Sequence, residues 1–214
     1  MTLATWALVA LGVCALPHPA AAQRSPPART TGSACGTHCG TERWLVKTLS
    51  DADATRIDAR PVDITIEDLV QLVRPARLSE TRRARPVEFT VYRVEARLLG
   101  MFGESDHDYH LVLASLNDSA ITMIAEVPDP ACSGSCASGR ADIYAQVRQT
   151  LMEHLNSPRT GARPRIRLTG VGFFDRRHGQ RGVAPNGIEL HPILSVQFCD
   201  QVLLTKAQWE QVRP

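Results

Sequence analysis

Between residues 86 and 198 the hydrophobic period changes in a set order, and that order restricts the fold more than any other feature. Runs of alternating apolar residues cover about 86–99, 109–114 and 121–127. Ile143, Val147, Leu151 and Leu155 then recur one helical turn apart within 140–155, and two more alternating runs cover 165–174 and 188–198. Alternation marks half-buried strands, and recurrence at each turn marks an amphipathic helix. Strand, strand, strand, helix, strand, strand is the order of an OB-fold, a Greek-key barrel that binds ligands on one face and in the loops after its first and fourth strands. The expected class is mainly β with one core helix (α+β): an OB-fold-like five-stranded barrel with an N-terminal extension.

Within the first strand the apolar phase runs Val87, Phe89, Val91 and then Tyr92, Val94, Ala96, Leu98. Such a switch predicts a β-bulge near Val91. An acidic loop, 104–108, follows. Asn117 and Asp118 turn the chain between strands two and three, and 128–138 reads as a loop holding two cysteines. Ahead of the barrel, Trp44 to Thr48 reads as a short strand. Thr65 to Val73 reads as a short helix capped by Thr65 and stopped by Pro75.

Residues 1–22 contain no Asp, Glu, Lys or Arg and end in three alanines before Gln23. An apolar core with a small-residue exit predicts a secretory signal peptide and a secreted or periplasmic product. Pro17, His18 and Pro19 interrupt the run, so no transmembrane span is expected in the mature chain. The expected divisions are 1–22 signal peptide, 23–38 disordered leader, 39–85 N-terminal extension, 86–200 barrel, and 201–214 a C-terminal helix or tail anchored by Trp209. Removal of Cys14 leaves Cys35, Cys39, Cys132, Cys136 and Cys199. Export favours disulfides over the zinc half-sites that two C-x-x-x-C spacings also suit. Five is odd, so one thiol is expected to stay free or pair between chains. A Cys39–Cys132 bridge is expected to tie the extension to the barrel.

The net charge is +2, and Arg dominates the basic residues, clustered at 74–85 and 159–181. Arginine clusters can hold phosphates through forked hydrogen bonds. Here acidic residues are interspersed and aromatics make up 5% of the chain, so stacking platforms are few and nucleic acid is a weakly supported partner.

The loop at 175–187, between strands four and five, is long for neighbouring strands, which suggests a binding loop. It presents His178, Gln180 and Asn186 and is expected beside the acidic loop, with Arg176, Arg177 or Arg181 meeting Asp106 or Asp108. Strand phase puts His110 opposite Glu126 or Ile124 on the outer face, where Glu189 and His191 also point. Asp108 and His178 arrive from the loops. His110, Glu126, Glu189 and His191 suit a divalent metal such as zinc, or a proton-transfer pair. A metal-bound water could attack a phosphodiester or ester, making the chain a metal-dependent hydrolase, phosphoesterase or nuclease. The plainer alternative is a hydrogen-bonded network that pins the loop. No Ser-His-Asp signature, phosphate-binding glycine loop or nucleotide fingerprint is present, so the leading reading is a secreted OB-like binding module without catalysis.

Four segments, CGTERWLVKT (39–48), DYHLVL (108–113), MIAEVPDPAC (123–132) and 173–192 with its HGQ-x-GVAPNGIELHP block, together resemble a group of uncharacterised secreted bacterial proteins. The resemblance spans most of the mature chain. It implies export and a shared fold and assigns no activity. This chain differs from the group in carrying extra cysteines, Cys35 and Cys136.

Overall fold

A computed structural model describes residues 36–156, 163–177 and 179–199. The signal peptide, most of the leader, the C-terminal helix expected from Thr205, Cys14, Cys35 and His178 lie outside the described residues. Six strands are present: β1 Asp58–Asp63, β2 Thr90–Gly103, β3 Tyr109–Ala114, β4 Thr122–Val127, β5 Arg165–Phe174 and β6 Ile188–Phe198. There are four helices: α1 Trp44–Lys47, α2 Ile66–Leu69, α3 Ser133–Ala137 and α4 Ala141–Leu155.

The sheet order is β1-β2-β3-β4-β6-β5, and a β2–β5 pairing closes it. β2 pairs with β5 through Val91–Arg97 and with β3 through Arg97–Gly103, so one long strand serves both sides of the closure. β4 and β6 run parallel, while β2–β3, β3–β4, β5–β6 and β2–β5 are antiparallel. The result is the OB-fold-like five-stranded barrel that the segment order predicts, with α4 inserted between β4 and β5.

Alternation explains the interior. Val94, Ala96 and Leu98 of β2 meet Leu111 and Leu113 of β3, Met123 and Ala125 of β4, Ile166 and Leu168 of β5, and Leu190 of β6. Helix α4 adds Tyr144, Val147 and Leu151. Ile143, expected on that buried face, is exposed, and Tyr144 takes its place. The 144, 147, 151 spacing is as helical as the 143, 147, 151 spacing, and the larger ring wins the interior because its hydroxyl finds a partner, donating to the Thr48 carbonyl at 3.0 Å.

Four local expectations differ from the structure. Val87 and Phe89 lie in a single 3-10 turn, so the phase change at Val91 is a helix-to-strand transition. The register shift of β2 against β3 falls at Leu98/Gly100. Trp44 to Lys47 is helical, with Trp44, Val46 and Lys47 all buried, so no alternation of buried and exposed residues along a strand is present. The capped helix closes by Leu69, with Thr65 accepting from the Asp68 amide at 3.1 Å. The 128–138 loop contains α3, and β1 adds a sixth strand parallel to β2.

The extension packs as a second layer over the barrel. Leu49 and Ala54 meet the outward Val91 and Val171. Arg43, the residue preceding α1, is buried and bonds Glu88 through both outer nitrogens at 2.7 and 2.8 Å. It also donates to the carbonyls of Ser79, Arg82 and Phe174. Arg83 is likewise buried, bonding Asp51 and the Val46 carbonyl. A disulfide joins Cys39 to Cys132, as expected from sequence. Cys136 and Cys199 are also disulfide-bonded. No described cysteine is free, so the unpaired thiol expected from odd counting is not among them.

Candidate functional site

Strand register places His110 beside Glu126 across β3–β4 and Ile124 beside Glu189 across β4–β6. One face therefore carries His110, Glu126, Glu189 and His191, and Asp108 joins from the end of the acidic loop. The sequence expectation of convergence describes this geometry. The expectation of an exposed surface does not: all five residues are at most 3% exposed. Helix α1 and the 175–187 loop cover them. Lys47 reaches down from α1, 3.6 Å from Asp175 and 4.0 Å from Glu126. Arg43 and Lys47 also lie over the Phe173 ring, 4.7 and 5.8 Å from its centroid.

Burial and charged partners together shift His110, His191, Glu126, Glu189, Asp108 and Lys47. His110 presents Nδ1 to Glu126 Oε1 at 2.8 Å and Nε2 to the Arg181 carbonyl at 3.1 Å. Two acceptors on one ring favour the imidazolium. Burial alone would push its pKa down, but those hydrogen bonds and the nearby Glu126 and Glu104 raise it. His191 Nε2 faces Asp108 Oδ2 at 3.1 Å and Glu126 Oε2 at 3.2 Å. Burial opposes its charge, and Asp108 and Glu126 prevail, lifting its pKa from 6.5 to about 9. Glu126 is held well below the carboxylate range: burial pushes it up, and His110, His191 and Lys47 outweigh that. Glu189 moves the other way, raised by burial and by the charges of Glu126 and Asp175. Burial also raises Asp108. Lys47 is raised because Glu126, Asp175 and Glu189 overcome its desolvation.

These directions fix a pH dependence. His191 binds its proton more tightly when folded, so its stabilisation is complete below its ordinary 6.5 and is lost as pH rises through about 9. His110 acts in the same sense. Glu126, depressed from 4.5, contributes above that value and loses its contribution as pH falls. Glu189, raised from 4.5, contributes fully below that value and loses its contribution as pH rises through its folded pKa. In metal-free buffer, urea unfolding should therefore show stability falling steadily from pH 7 to pH 10. A flat profile over that range would contradict the cluster.

Other site residues expected from sequence fall elsewhere. Asn186 donates to the carbonyls of Leu69 and Leu72, pinning the loop to α2. Gln180 has a buried side-chain oxygen without a hydrogen-bond partner. The two loops do approach one another, since Arg181 touches His110 through its carbonyl, Glu104 lies 3.6 Å from the same ring, and the Arg181 guanidinium stacks on Phe102. The expected loop-to-loop ion pairs do not form. Arg176 pairs with Glu42 and Glu80 and Arg177 bonds the Pro185 carbonyl. The histidines, though outward in strand phase, are sealed, so replacing both would strand Asp108 and Glu126 rather than trim a surface.

Sequence reasoning missed Arg43, Lys47, Glu88 and Asp175. The signal for the first two was their four-residue spacing, which places both on one side of a helical turn; reading that segment as a strand concealed it.

An open cavity of about 620 Å³ lies elsewhere, between α2, the outer face of β2 and β5, and the β3–β4 turn. Its walls include Arg93, Glu95, Arg167, Glu67 and Asn117. Its arginines are matched within the chain, Arg93 with Asp63 and Arg167 with Glu95, while Glu67 accepts from Ser115 and Asn117 and Asp68 from Thr65, which leaves the lining acidic.

No family model and no curated protein matches the chain. Among solved structures, the crystal structure of a putative aspartyl-tRNA synthetase from Leishmania major Friedlin is similar at 12% identity and a TM-score of 0.37, with 79% of this chain and 25% of that chain covered. No helix among the described residues is long and apolar enough to cross a membrane.

Proposed function

We propose that the chain is an exported, non-catalytic OB-like binding module that takes its ligand in the open groove between α2 and the β2/β5 face. The observation that carries this reading is the contrast between the two polar sites. The imidazoles and carboxylates suited to hydrolysis are sealed under the chain's own N-terminal segment, whereas the groove is open to solvent and lined by pre-positioned hydrogen-bonding groups. Burial removes the access that a hydrolase of phosphodiesters or esters needs. The disulfide and the apolar leader support export into an oxidising compartment.

Paired arginines and an excess of carboxylates in the groove disfavour a polyanion and favour an uncharged ligand rich in hydrogen-bonding groups, such as an oligosaccharide. Saturation-transfer NMR with a panel of neutral oligosaccharides, beside fluorescence anisotropy with random single-stranded DNA, tests this. A saccharide signal that is lost in Arg93→Ala and Asn117→Ala is the expected result. Tight, salt-dependent DNA binding, or saccharide contacts confined to the 104–108 and 175–187 loops, would overturn it.

A further inference from the structure

We propose that Asp108, Glu126 and His191 form a divalent-metal site of the zinc class, closed beneath α1 and structural in role. This inference is independent of the groove and its ligand. One donor atom from each residue lies within 4.8 Å of the others. His191 Nε2 sits 3.1 Å from Asp108 Oδ2 and 3.2 Å from Glu126 Oε2. Donor atoms about 2.0–2.2 Å from a tetrahedral zinc lie about 3.3–3.6 Å apart, so both edges need to open by only a few tenths of an ångström. A single N–H, by contrast, cannot point well at two carboxylates at once.

The surroundings fit a metal shell. Glu126 Oε1 is held by His110 Nδ1 at 2.8 Å, and Asp108 Oδ1 accepts from the Asp129 amide at 3.3 Å. Each carboxylate thus has one oxygen fixed by the protein and the other turned toward His191, the usual division between a ligand and its orienting partner. Two further carboxyls, Asp175 and Glu189, are 2% exposed and each keeps one buried oxygen without a hydrogen-bond partner. Glu189 lies two residues before His191 on the same strand. Four carboxyls share this sealed space with a single amine, Lys47. A dication bound here would take the place of the proton that His191 holds between Asp108 and Glu126.

The set differs from the one that strand phase alone suggests. Asp108 replaces His110, whose two nitrogens are already committed to Glu126 and to a backbone carbonyl. A ligand set sealed from solvent suits a structural ion that ties the acidic loop to β4 and β6.

Full-length exported protein, unfolded in guanidinium with a chelator and with its disulfides intact, should be refolded with and without zinc at pH 8. One equivalent of zinc per chain, retained through desalting, together with a rise in melting temperature, is expected. Long-range ¹H–¹⁵N spectra of the wild type should show the His191 Nε2 resonance moving on zinc addition while the His107 ring stays unchanged. His110→Gln, which removes an orienting bond, should weaken zinc binding roughly 10- to 100-fold. Absence of stoichiometric zinc in the refolded wild type overturns the proposal. So does binding that moves the His107 ring instead, since His107 lies beside Cys39 and Cys132 in the other cluster of metal-binding side chains.

Discussion

Arg43→Ala should lower the unfolding free energy by about 3–5 kcal/mol, the cost of breaking a buried ion pair by removing one partner. The guanidinium is sealed and makes five hydrogen bonds, two to Glu88 and one each to the carbonyls of Ser79, Arg82 and Phe174. Its loss leaves the Glu88 carboxylate buried, held only by the amides of Ala84 and Phe174. Arg43→Lys should recover little, because a single ammonium cannot reproduce the planar fork. Arg43→Met with Glu88→Leu should recover part of the loss: no charge is stranded, although two amides lose their acceptor. Chemical denaturation of the three variants checks the order. Equal stability of Arg43→Ala and wild type would mean that this hub does not hold the N-terminal layer to the barrel.

Removing the Cys39–Cys132 bridge by a double change to Ala should cost about 2–5 kcal/mol, near the upper end expected for closing a long loop. The bridge spans 93 residues of sequence and fixes the chain immediately before α1 to the segment that leads into α3. It also sets a close packing: a side chain at Gly134 would meet Trp44 Nε1 and Thr48 Oγ1 at 2.6 Å. Without the bridge, α1 keeps the Arg43–Glu88 and Lys47–Asp175 contacts, so the variant should remain folded but melt at a lower temperature. A melting temperature unchanged on reduction or mutation would show that packing alone sets the position of this segment.

The barrel was legible because period and order are local properties of the sequence. Leu111, Leu113, Met123 and Ala125 alternate cleanly, and the one helix between strands three and four leaves few topologies open. Strand phase also narrowed the partner of His110 to Glu126 or Ile124, since register follows from which residues face the core, and the structure selects Glu126. What lay beyond it was the second layer. Phase distinguishes the inside of a barrel from its outside, and cannot tell whether another segment covers that outside. Lys47, 79 residues before Glu126 in sequence, covers it here. The sixth strand was obscured by its composition: Asp58–Asp63 is exposed along its length and contains Pro61, so it has no alternation to read. The arginine clusters were ambiguous for a related reason. Arg83, Arg93, Arg167 and Arg176 all meet carboxylates within the chain, a fate that clustering alone does not reveal.

An OB barrel usually offers its β3/β4-type face and the flanking loops to a ligand. Here that face is filled from within: Arg43 and Lys47 lie over Phe173, and the Arg181 carbonyl closes on His110. The imidazoles and carboxylates of that face are enclosed, and the proposed ligand therefore falls to the open groove walled by α2, β2 and β5.

Hydroxyl-radical footprinting of the exported protein, read residue by residue in a mass spectrometer, tests the sealed face most directly. Trp44, Phe173 and His191 should be as protected as the barrel residue Met123, while the exposed Phe102 and Met152 oxidise readily. Oxidation of Trp44, Phe173 and His191 at the rate of Phe102 in the folded protein would show that the N-terminal segment does not cover the barrel, and would contradict the account.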